Sequence, residues 1–165
     1  MEINSGNYEN FINSKFYTLP DKIEIEKHLK ELTQDSFKKV ISSKESKNAR
    51  NVIYIWRAEK NIPRVKGESN IIYIGQTKRS IFERHGSYSK LLASSEANKQ
   101  KFNDIVRKYG AITISYINYN EYTALGKNLL CAEGQFLWWY FQNHSEYPPI
   151  NYTKTKNRNS VVVFV

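Results

Sequence analysis

The sequence predicts a mixed α+β fold built on a small antiparallel-rich sheet, and three observations support this. Two runs rich in β-branched and aromatic residues, 51–57 and 70–76, flank a polar stretch with turn-forming residues, which is typical of a hairpin. Apolar residues then recur at helical spacing over about 80–92 and 96–108. A third β-like run, 111–119, precedes a long helical pattern. Strands and helices in this order predict a sheet flanked by helices.

The first fifty residues have a different character from the rest of the chain. They are polar and lysine-rich, and two sets of apolar residues predict two amphipathic helices: Ile23, Ile25, Leu29 and Leu32 for one, and Phe37, Val40 and Ile41 for the other. We therefore expect a helical arm over 1–50, a core over 51–152 and a basic tail over 153–165, all within one compact domain.

The later elements have recognisable ends. Gly110 is expected to stop the helix over 96–108, and Asn120 to cap a long helix that runs to about Asn143. Pro148 and Pro149 end that region. The β-branched run Val161–Val165 is a candidate edge strand in the tail.

Charge and composition narrow the classes of function. Lys and Arg number 25 against 16 Asp and Glu, and this net charge of +9 favours a polyanionic partner such as nucleic acid. The single cysteine, Cys131, cannot form an internal disulfide, and the three histidines lie too far apart for a structural zinc site. The start of the chain has no secretory pattern and no apolar run could span a bilayer, so we expect a cytoplasmic protein without a membrane segment.

One ordered set of residues carries the functional argument. Tyr54 and Tyr73 lie in the two predicted hairpin strands, Arg84 and Tyr88 in the next helix, and Glu133 in the long helix; Asn151 follows the two prolines. This order resembles the GIY-YIG nuclease family, in which a hairpin bears two tyrosine motifs, the next helix an arginine, and a later helix a metal-binding glutamate. The resemblance covers about residues 51–152. Val52 replaces the usual glycine, the loop between the tyrosines is longer than usual, and the spacing from Glu133 to Asn151 is expanded.

The resemblance implies a hydrolase that cuts phosphodiester bonds. It implies that Glu133 binds Mg²⁺, with other divalent ions such as Mn²⁺ as possible substitutes, and that Asn151 braces the site. It also implies that one tyrosine orients or deprotonates the attacking water. We favour Tyr54 as that base and Tyr73 as its support, an assignment that the sequence leaves open.

The chemistry of the residues supports these roles separately. Glu133 projects onto the largely apolar side of its helix, with Leu129, Leu130, Phe136, Leu137 and Tyr140. A carboxylate there needs a cation or a metal, and an oxygen ligand that leaves room for water and phosphate suits Mg²⁺. The alternative is a partly exposed glutamate at the edge of that face.

Arg84 and Tyr88 are four residues apart, so they share a helix face and can reach one phosphate together. The alternatives are a solvated arginine and a core tyrosine. For the tyrosine pair the alternative is that both simply cover the sheet. A phenol with a pKa near 10 is a poor base until cations lower that pKa, and Lys78, Arg79 and Arg84 are the candidates for that.

Other basic residues are expected to contact nucleic acid. The hairpin loop is predicted to carry a first group that can enter a groove of nucleic acid: Arg57, Lys60, Arg64 and Lys66. The tail carries a second group, which is Lys154, Lys156 and Arg158, and Arg79 lies between the two groups in the sequence.

By analogy with compact members of the family, we expect a type II restriction endonuclease. Such an enzyme would cut double-stranded DNA at a short site as a homodimer, with a possible cognate methyltransferase. A less specific defence or phage-type nuclease of the same fold is one alternative. A non-catalytic nucleic-acid-binding protein, including an RNA-associated protein that binds by charge, is another.

Overall fold

A computed structural model describes residues 23–24, 28–86, 96–118 and 128–151 of the chain. They form an α+β fold around an antiparallel sheet, whose strands are β1 (Ile23–Glu24), β2 (Val52–Pro63), β3 (Glu68–Thr77) and β4 (Ile112–Asn118). The strand order in the sheet is β1-β4-β2-β3. The predicted fold class is therefore confirmed.

The two tyrosine motifs lie on a long hairpin. β2 pairs antiparallel with β3 from Val52 opposite Thr77 to Pro63 opposite Glu68, with irregular register after Trp56. Only residues 64–67 remain as the connection, and Gly67 adopts a positive φ of 68° there. The expected pairing is confirmed, but the expected long loop is wrong, because most of that polar stretch extends the two strands.

The N-terminal region contradicts part of the predicted arm. Ile23 and Glu24 form a strand that pairs with β4, and Leu29 makes an isolated bridge with Ile112, so the helix expected there is wrong. The second predicted helix is confirmed as α1 (Gln34–Ile41), which begins with a capping box between Thr33 and Ser36. A short helix, α2 (Lys44–Asn48), follows it.

The helices after the hairpin follow the sequence pattern closely. Among the described residues, 81–86 form helix α3, α4 spans Glu96–Tyr109, and α5 spans Leu129–His144. Gly110, with φ of 87°, ends α4 as expected. The side chain of Asn128 caps α5 by accepting from the backbone N–H of Cys131. Asn120, which was predicted to cap this helix, lies outside the described residues.

Helices cover both faces of the sheet. On one face, Tyr54, Trp56 and Tyr73 belong to a core with α1 and α4, which includes Phe37 and Phe102. On the other face, a second core joins the sheet to α5; its members include Ile53, Ile55, Ile74, Phe136 and Tyr140. The alternation of side chains along β2 assigns neighbouring residues to opposite cores. Within the described residues, no helix combines the length and apolar character needed to cross a bilayer.

Candidate functional site

The two motif tyrosines lie on the same face of the hairpin and contact each other. Tyr54 stands opposite Gly75 in the β2–β3 ladder, so Tyr73 is its diagonal neighbour and not its direct partner. Their rings stack with centroids 5.9 Å apart. A β-carbon on Gly75 would lie 2.6 Å from Tyr54 Oη and 2.7 Å from a ring carbon of Tyr73. The glycine therefore provides the space that the two rings occupy.

Arg84 meets the first tyrosine from helix α3. Its Nε donates a hydrogen bond of 3.3 Å to Tyr54 Oη, which joins residues 30 positions apart. Tyr54 is fully buried (0% exposed), Tyr73 retains 7% exposure, and Arg84 is half-buried. The predicted partners Tyr54, Tyr73 and Arg84 are thus brought together at one end of the hairpin.

A capping box fixes the start of α3 and hence the position of Arg84. The Ser80 hydroxyl accepts from the backbone N–H of Glu83, and the Glu83 carboxylate accepts from the backbone N–H of Ser80 at 2.9 Å. Arg50 pairs with the same carboxylate at 2.9 Å. The Ser80 hydrogen bond and Arg50 together lower the pKa of Glu83 from 4.5 to about 2. The cap therefore stays ionised at neutral pH.

His85 is a fully buried neighbour of the site that was not predicted as a site residue. Its Nε2 accepts from Trp56 Nε1–H at 3.2 Å, which assigns the proton to Nδ1, where it faces Ile81 O at 3.0 Å. The ring meets the edge of Tyr54 with centroids 4.7 Å apart. Burial, helped by the charge of Arg84, lowers the pKa of His85 from 6.5 to about 4. A neutral imidazole therefore packs beneath the Tyr54–Arg84 pair.

A second carboxylate also lies near this face of the sheet. Tyr116 stands opposite Tyr54 in the β2–β4 ladder, and its hydroxyl donates to Glu45 Oε1 at 3.3 Å. Burial and the Glu45 carboxylate raise the pKa of Tyr116 from 10.0 to about 12. Tyr116 is therefore protonated at neutral pH. Neither residue was predicted, because their proximity depends on the β2–β4 register, which leaves no local pattern.

Asn151 braces the outer strand of the hairpin. Its Oδ1 accepts from Ile74 N–H at 2.8 Å, and its Nδ2 donates to Ile74 O at 2.7 Å. The backbone N–H of Ile150 also donates to Ile72 O at 3.0 Å. The side-chain amide thus replaces a neighbouring strand at the residue between Tyr73 and Gly75. A brace of this kind was expected from the resemblance.

Glu133 is half-buried on the side of α5 that faces the sheet. It follows buried Ala132 and precedes buried Phe136 and Leu137, whereas Leu130, predicted on the same side, is exposed. α5 packs on the face of the sheet opposite to the tyrosine rings. Glu133 therefore approaches the hairpin from the other side of the sheet from Arg84.

The direction of α5 determines which end of the hairpin Glu133 lies near. The end of the helix lies at the hairpin connection, where His144 O accepts from Lys66 N–H at 3.1 Å. One turn earlier, the Tyr140 hydroxyl donates to Ile71 O at 3.4 Å. The helix therefore runs antiparallel to β3, and its first turns lie toward the end of β3 that carries Gly75. Tyr54 and Arg84 are at the same end.

The predicted DNA-contacting cations divide into two groups. Arg57 is buried in β2, where its Nη1 donates to Ser115 Oγ at 2.8 Å. Arg64, with its side chain 7% exposed, pairs with Glu146 and donates to Tyr147 O, each at 2.9 Å. Neither arginine lies on an open loop as expected. Arg57 lies within β2, and the segment after α5 covers Arg64. Four predicted cations are exposed: Lys60, Lys66, Lys78 and Arg79.

Several predicted residues lie outside the described part of the chain. They are Tyr88, Lys154, Lys156, Arg158 and the run Val161–Val165. Among the described residues, no three His, Cys, Asp or Glu side chains cluster to hold a metal. The half-buried Glu133 carboxylate fits a Mg²⁺ ion that takes its other ligands from water and phosphate, as hard cations in phosphoryl-transfer sites do.

The chain matches no protein-family model, no curated protein and no solved structure. The function is therefore inferred from the geometry of the site and from the order of its residues.

Proposed function

We propose that this chain is a Mg²⁺-dependent endonuclease that hydrolyses double-stranded DNA with a site of the GIY-YIG type. The observation that carries the proposal is the hydrogen bond between Arg84 Nε and Tyr54 Oη, with Tyr73 stacked on Tyr54. A guanidinium anchored through Nε presents its two Nη groups in a fixed direction. Such a fork suits the oxygens of a phosphate.

The two tyrosines have different roles in this proposal. Tyr54 is fully enclosed and contacts Arg84, so it orients the guanidinium. Tyr73 keeps 7% of its surface exposed, and we assign it as the phenol beside the attacking water. In its phenolate form, Tyr73 accepts the proton of the attacking water as the water oxygen bonds to phosphorus; the bond from phosphorus to the leaving oxygen breaks, and the leaving oxygen takes up a proton from bulk water. These roles are the reverse of those favoured from the sequence, because Tyr54 is fully buried whereas Tyr73 keeps a small exposed surface.

Glu133 is the residue that would hold the metal. When bound, Mg²⁺ supplies positive charge to the phosphate oxygens and to the leaving oxygen. Arg84 and Glu133 come from opposite faces of the sheet but from the same end of the hairpin. A phosphate lying at that end, beyond the Asn151 brace, can be contacted from both faces.

Exposed cations and the overall charge support a DNA substrate. The net charge is +9, and Lys78 and Arg79 are exposed between the end of β3 and the start of α3. Lys60 and Lys66 add exposed charge further along the hairpin. Cations spread along one element suit the regular phosphates of a duplex. A type II restriction enzyme that acts on a short site is the specific form we propose.

The test is incubation of the purified protein with plasmid DNA, with Mg²⁺ or with a chelator. We expect discrete fragments that require the metal. Glu133→Gln should abolish cleavage, and Arg84→Ala should lower its rate by roughly 10² to 10³-fold, as loss of a transition-state donor does. Glu96→Gln and Arg107→Ala, both exposed on α4, are the matched controls and should cut normally. A smear of products would replace restriction with a less specific nuclease.

Two observations favour a second candidate, a nucleic-acid-binding protein without catalysis. Tyr54 has no exposed surface, and the helix with Glu133 packs on the sheet face opposite to the tyrosine rings. This candidate predicts a salt-sensitive shift of DNA on a gel with no metal-dependent cleavage. Normal cleavage by Glu133→Gln or Arg84→Ala would reject the proposed site.

A further inference from the structure

A cleft of about 500 Å³ lies between α4 and the segment that follows α5, and we call it the α4 cleft. Sites for small ligands commonly enclose about 300 to 1,000 Å³, so a molecule of that kind fits here. The cleft includes Arg64, which follows the last residue of β2, whereas Tyr54 lies near the start of that strand. It is therefore separate from the proposed catalytic residues. Its walls include Arg64, Lys101, Lys108, Tyr109, Tyr147 and Pro149.

Helix α4 contributes positive charge to the cleft. Lys101 and Lys108 are exposed and lie two turns apart on one helix face, about 10 Å along the axis. Neither lysine pairs with an acidic residue within the ranges that the structure describes. The two carboxylates of the cleft each contact an arginine at 2.9 Å, Glu146 with Arg64 and Asp104 with Arg107. The two lysines therefore remain to attract an anion such as a phosphate.

Flat side chains also line the cleft. Tyr109 ends α4, whereas Tyr147 and Pro149 follow α5, and all three are half-buried. The ring of Tyr147 packs on Phe141 with centroids 5.2 Å apart, and its carbonyl accepts from Arg64 at 2.9 Å. Both the ring and the backbone of Tyr147 are thus held in place. An aromatic ring fixed in this way favours stacking with another planar ring.

Asp104 lies between the two lysines on the same helix face. Its Oδ1 contacts Arg107, and its Oδ2 makes no hydrogen bond within the described residues. A carboxylate oxygen accepts from the amino group of adenine, cytosine or guanine, whereas thymine has no such group. A nucleotide combines the three features that the cleft suits: a planar ring, a phosphate and an amino group.

We propose that the α4 cleft binds a nucleotide whose base carries an amino group. The phosphate lies at Lys101 and Lys108. The base stacks beside Tyr147, and its amino group donates to Asp104. A free nucleotide and one nucleotide of a single strand share this chemistry. The proposal does not depend on the nuclease activity, because the cleft and the proposed catalytic site have no residue in common.

Segments of the same chain are poor occupants of the cleft because of their charge. Residues 152–165 carry three basic side chains and no acidic one, and residues 87–95 carry one lysine and no acidic side chain. Residues 25–27 and 119–127 each carry one charge of either sign. Residues 1–22 spread three acidic and two basic side chains along their length. None of these segments has the concentrated negative charge that two unpaired lysines attract.

The first test is calorimetric titration of the full chain with dAMP, dCMP, dGMP and dTMP, with a chelator present so that metal-dependent cleavage plays no part. The first three should bind, and dTMP, deoxyadenosine and deoxyribose 5-phosphate should each bind at least about tenfold more weakly. Lys101→Ala/Lys108→Ala should weaken dAMP binding by at least about tenfold. Lys99→Ala, which removes the same charge from an exposed position of α4 outside the cleft, should bind normally. Absence of binding by all four nucleotides, or normal binding by the double variant, would overturn the proposal.

The second test concerns the base and the source of the nucleotide. Asp104→Ala should bind dAMP and dTMP with similar affinity, and a variant that still prefers dAMP would remove Asp104 from the site. A short oligodeoxyadenylate is then titrated beside dAMP. Tighter binding of the oligonucleotide identifies a single strand as the ligand, and equal or weaker binding identifies a free nucleotide. In both cases Lys101→Ala/Lys108→Ala should weaken the binding and keep its circular dichroism spectrum.

Discussion

The hydroxyl of Tyr54 lies 2.6 Å from the point where a β-carbon of residue 75 would stand, and a ring carbon of Tyr73 lies 2.7 Å from it. Glycine is therefore needed at position 75 because the two tyrosine rings occupy the space of a β-carbon, and not because the backbone there has a positive φ. One methyl group would have to displace both rings at once. The position of Arg84 depends on one of these rings through its hydrogen bond.

Gly75→Ala is therefore expected to destabilise the fold by about 1–3 kcal/mol, the usual cost of overpacking a core. It should also remove the proposed nuclease activity, because displacing Tyr54 moves the guanidinium of Arg84. Denaturant unfolding and a plasmid assay measure the two effects. Gly86→Ala is the control, since a β-carbon there meets nothing within 4 Å. An active and fully stable Gly75→Ala protein would contradict the packing described for Tyr54.

His85 should make stability depend on pH in the mildly acidic range. Burial lowers its pKa from 6.5 to about 4, so between these values the unfolded chain binds a proton that the folded chain does not. The contribution of His85 to the free energy of unfolding is therefore fully present above pH 6.5 and is lost as the pH falls to about 4. At about 1.4 kcal/mol per pKa unit, this shift corresponds to a loss of stability on the order of 3 kcal/mol.

The measurement is the free energy of unfolding at several pH values for the wild type and for Trp56→Phe/His85→Phe. The double variant removes the imidazole and the indole N–H that it accepts from, so no buried donor is left unpaired. Its stability should vary less between pH 6.5 and 4. The loss of the Glu83 cap falls in a lower window, from pH 4.5 to about 2. Parallel pH curves for both proteins would argue against a neutral buried His85.

Asn151 should contribute to stability through both ends of its amide. Asn151→Asp replaces the donor to Ile74 O with a second acceptor, and Ile74 is fully buried. We expect a loss of about 2 kcal/mol or more, since a buried polar group loses its partner. Asn103→Asp, on an exposed position of α4, should change stability little. Thermal unfolding distinguishes the two variants.

Substitutions of Arg64 and Lys60 should affect different properties: the first should lower stability, and the second should weaken DNA binding. Arg64→Ala breaks a largely buried pair with Glu146 and should lower stability by about 1–3 kcal/mol. Lys60→Ala removes an exposed charge and should leave stability within about 0.5 kcal/mol. It should instead weaken DNA binding and reduce the salt dependence by about one phosphate contact. The reverse pattern would restore the loop role that the sequence suggested for Arg64.

The fold could be predicted wherever local pattern and burial agree. The apolar spacing of Phe102, Ile105 and Val106 predicted α4 almost to the residue, because that face packs on the sheet. The same reasoning gave a wrong prediction for Ile23, because its strand pairing with Tyr116, 93 positions away, outweighs a weak helical pattern. The hairpin length failed for a related reason. Polar residues such as Lys60 continue a strand when their side chains face solvent.

The site was predicted as a set of residues but not as a geometry. Tyr54, Tyr73 and Arg84 were identified from their order, and they do meet. The sequence treats both tyrosines as equivalent, whereas only the folded chain shows that one of them is sealed. The Tyr116 contact with Glu45 arises from strand register and leaves no local signal. The same applies to the buried contact between Trp56 and His85, 29 positions apart.

The bond between Asn151 and Ile74 links residues 77 positions apart. During synthesis, the hairpin leaves the ribosome long before the residue that closes its outer edge. Until then the N–H and C=O of Ile74 have no Asn151 to bond, and an open strand edge of this kind pairs readily with other chains. A nascent chain is therefore most prone to aggregate in this interval. It also lacks the brace beside Tyr73, so any catalytic activity should appear only after residue 151 has been made.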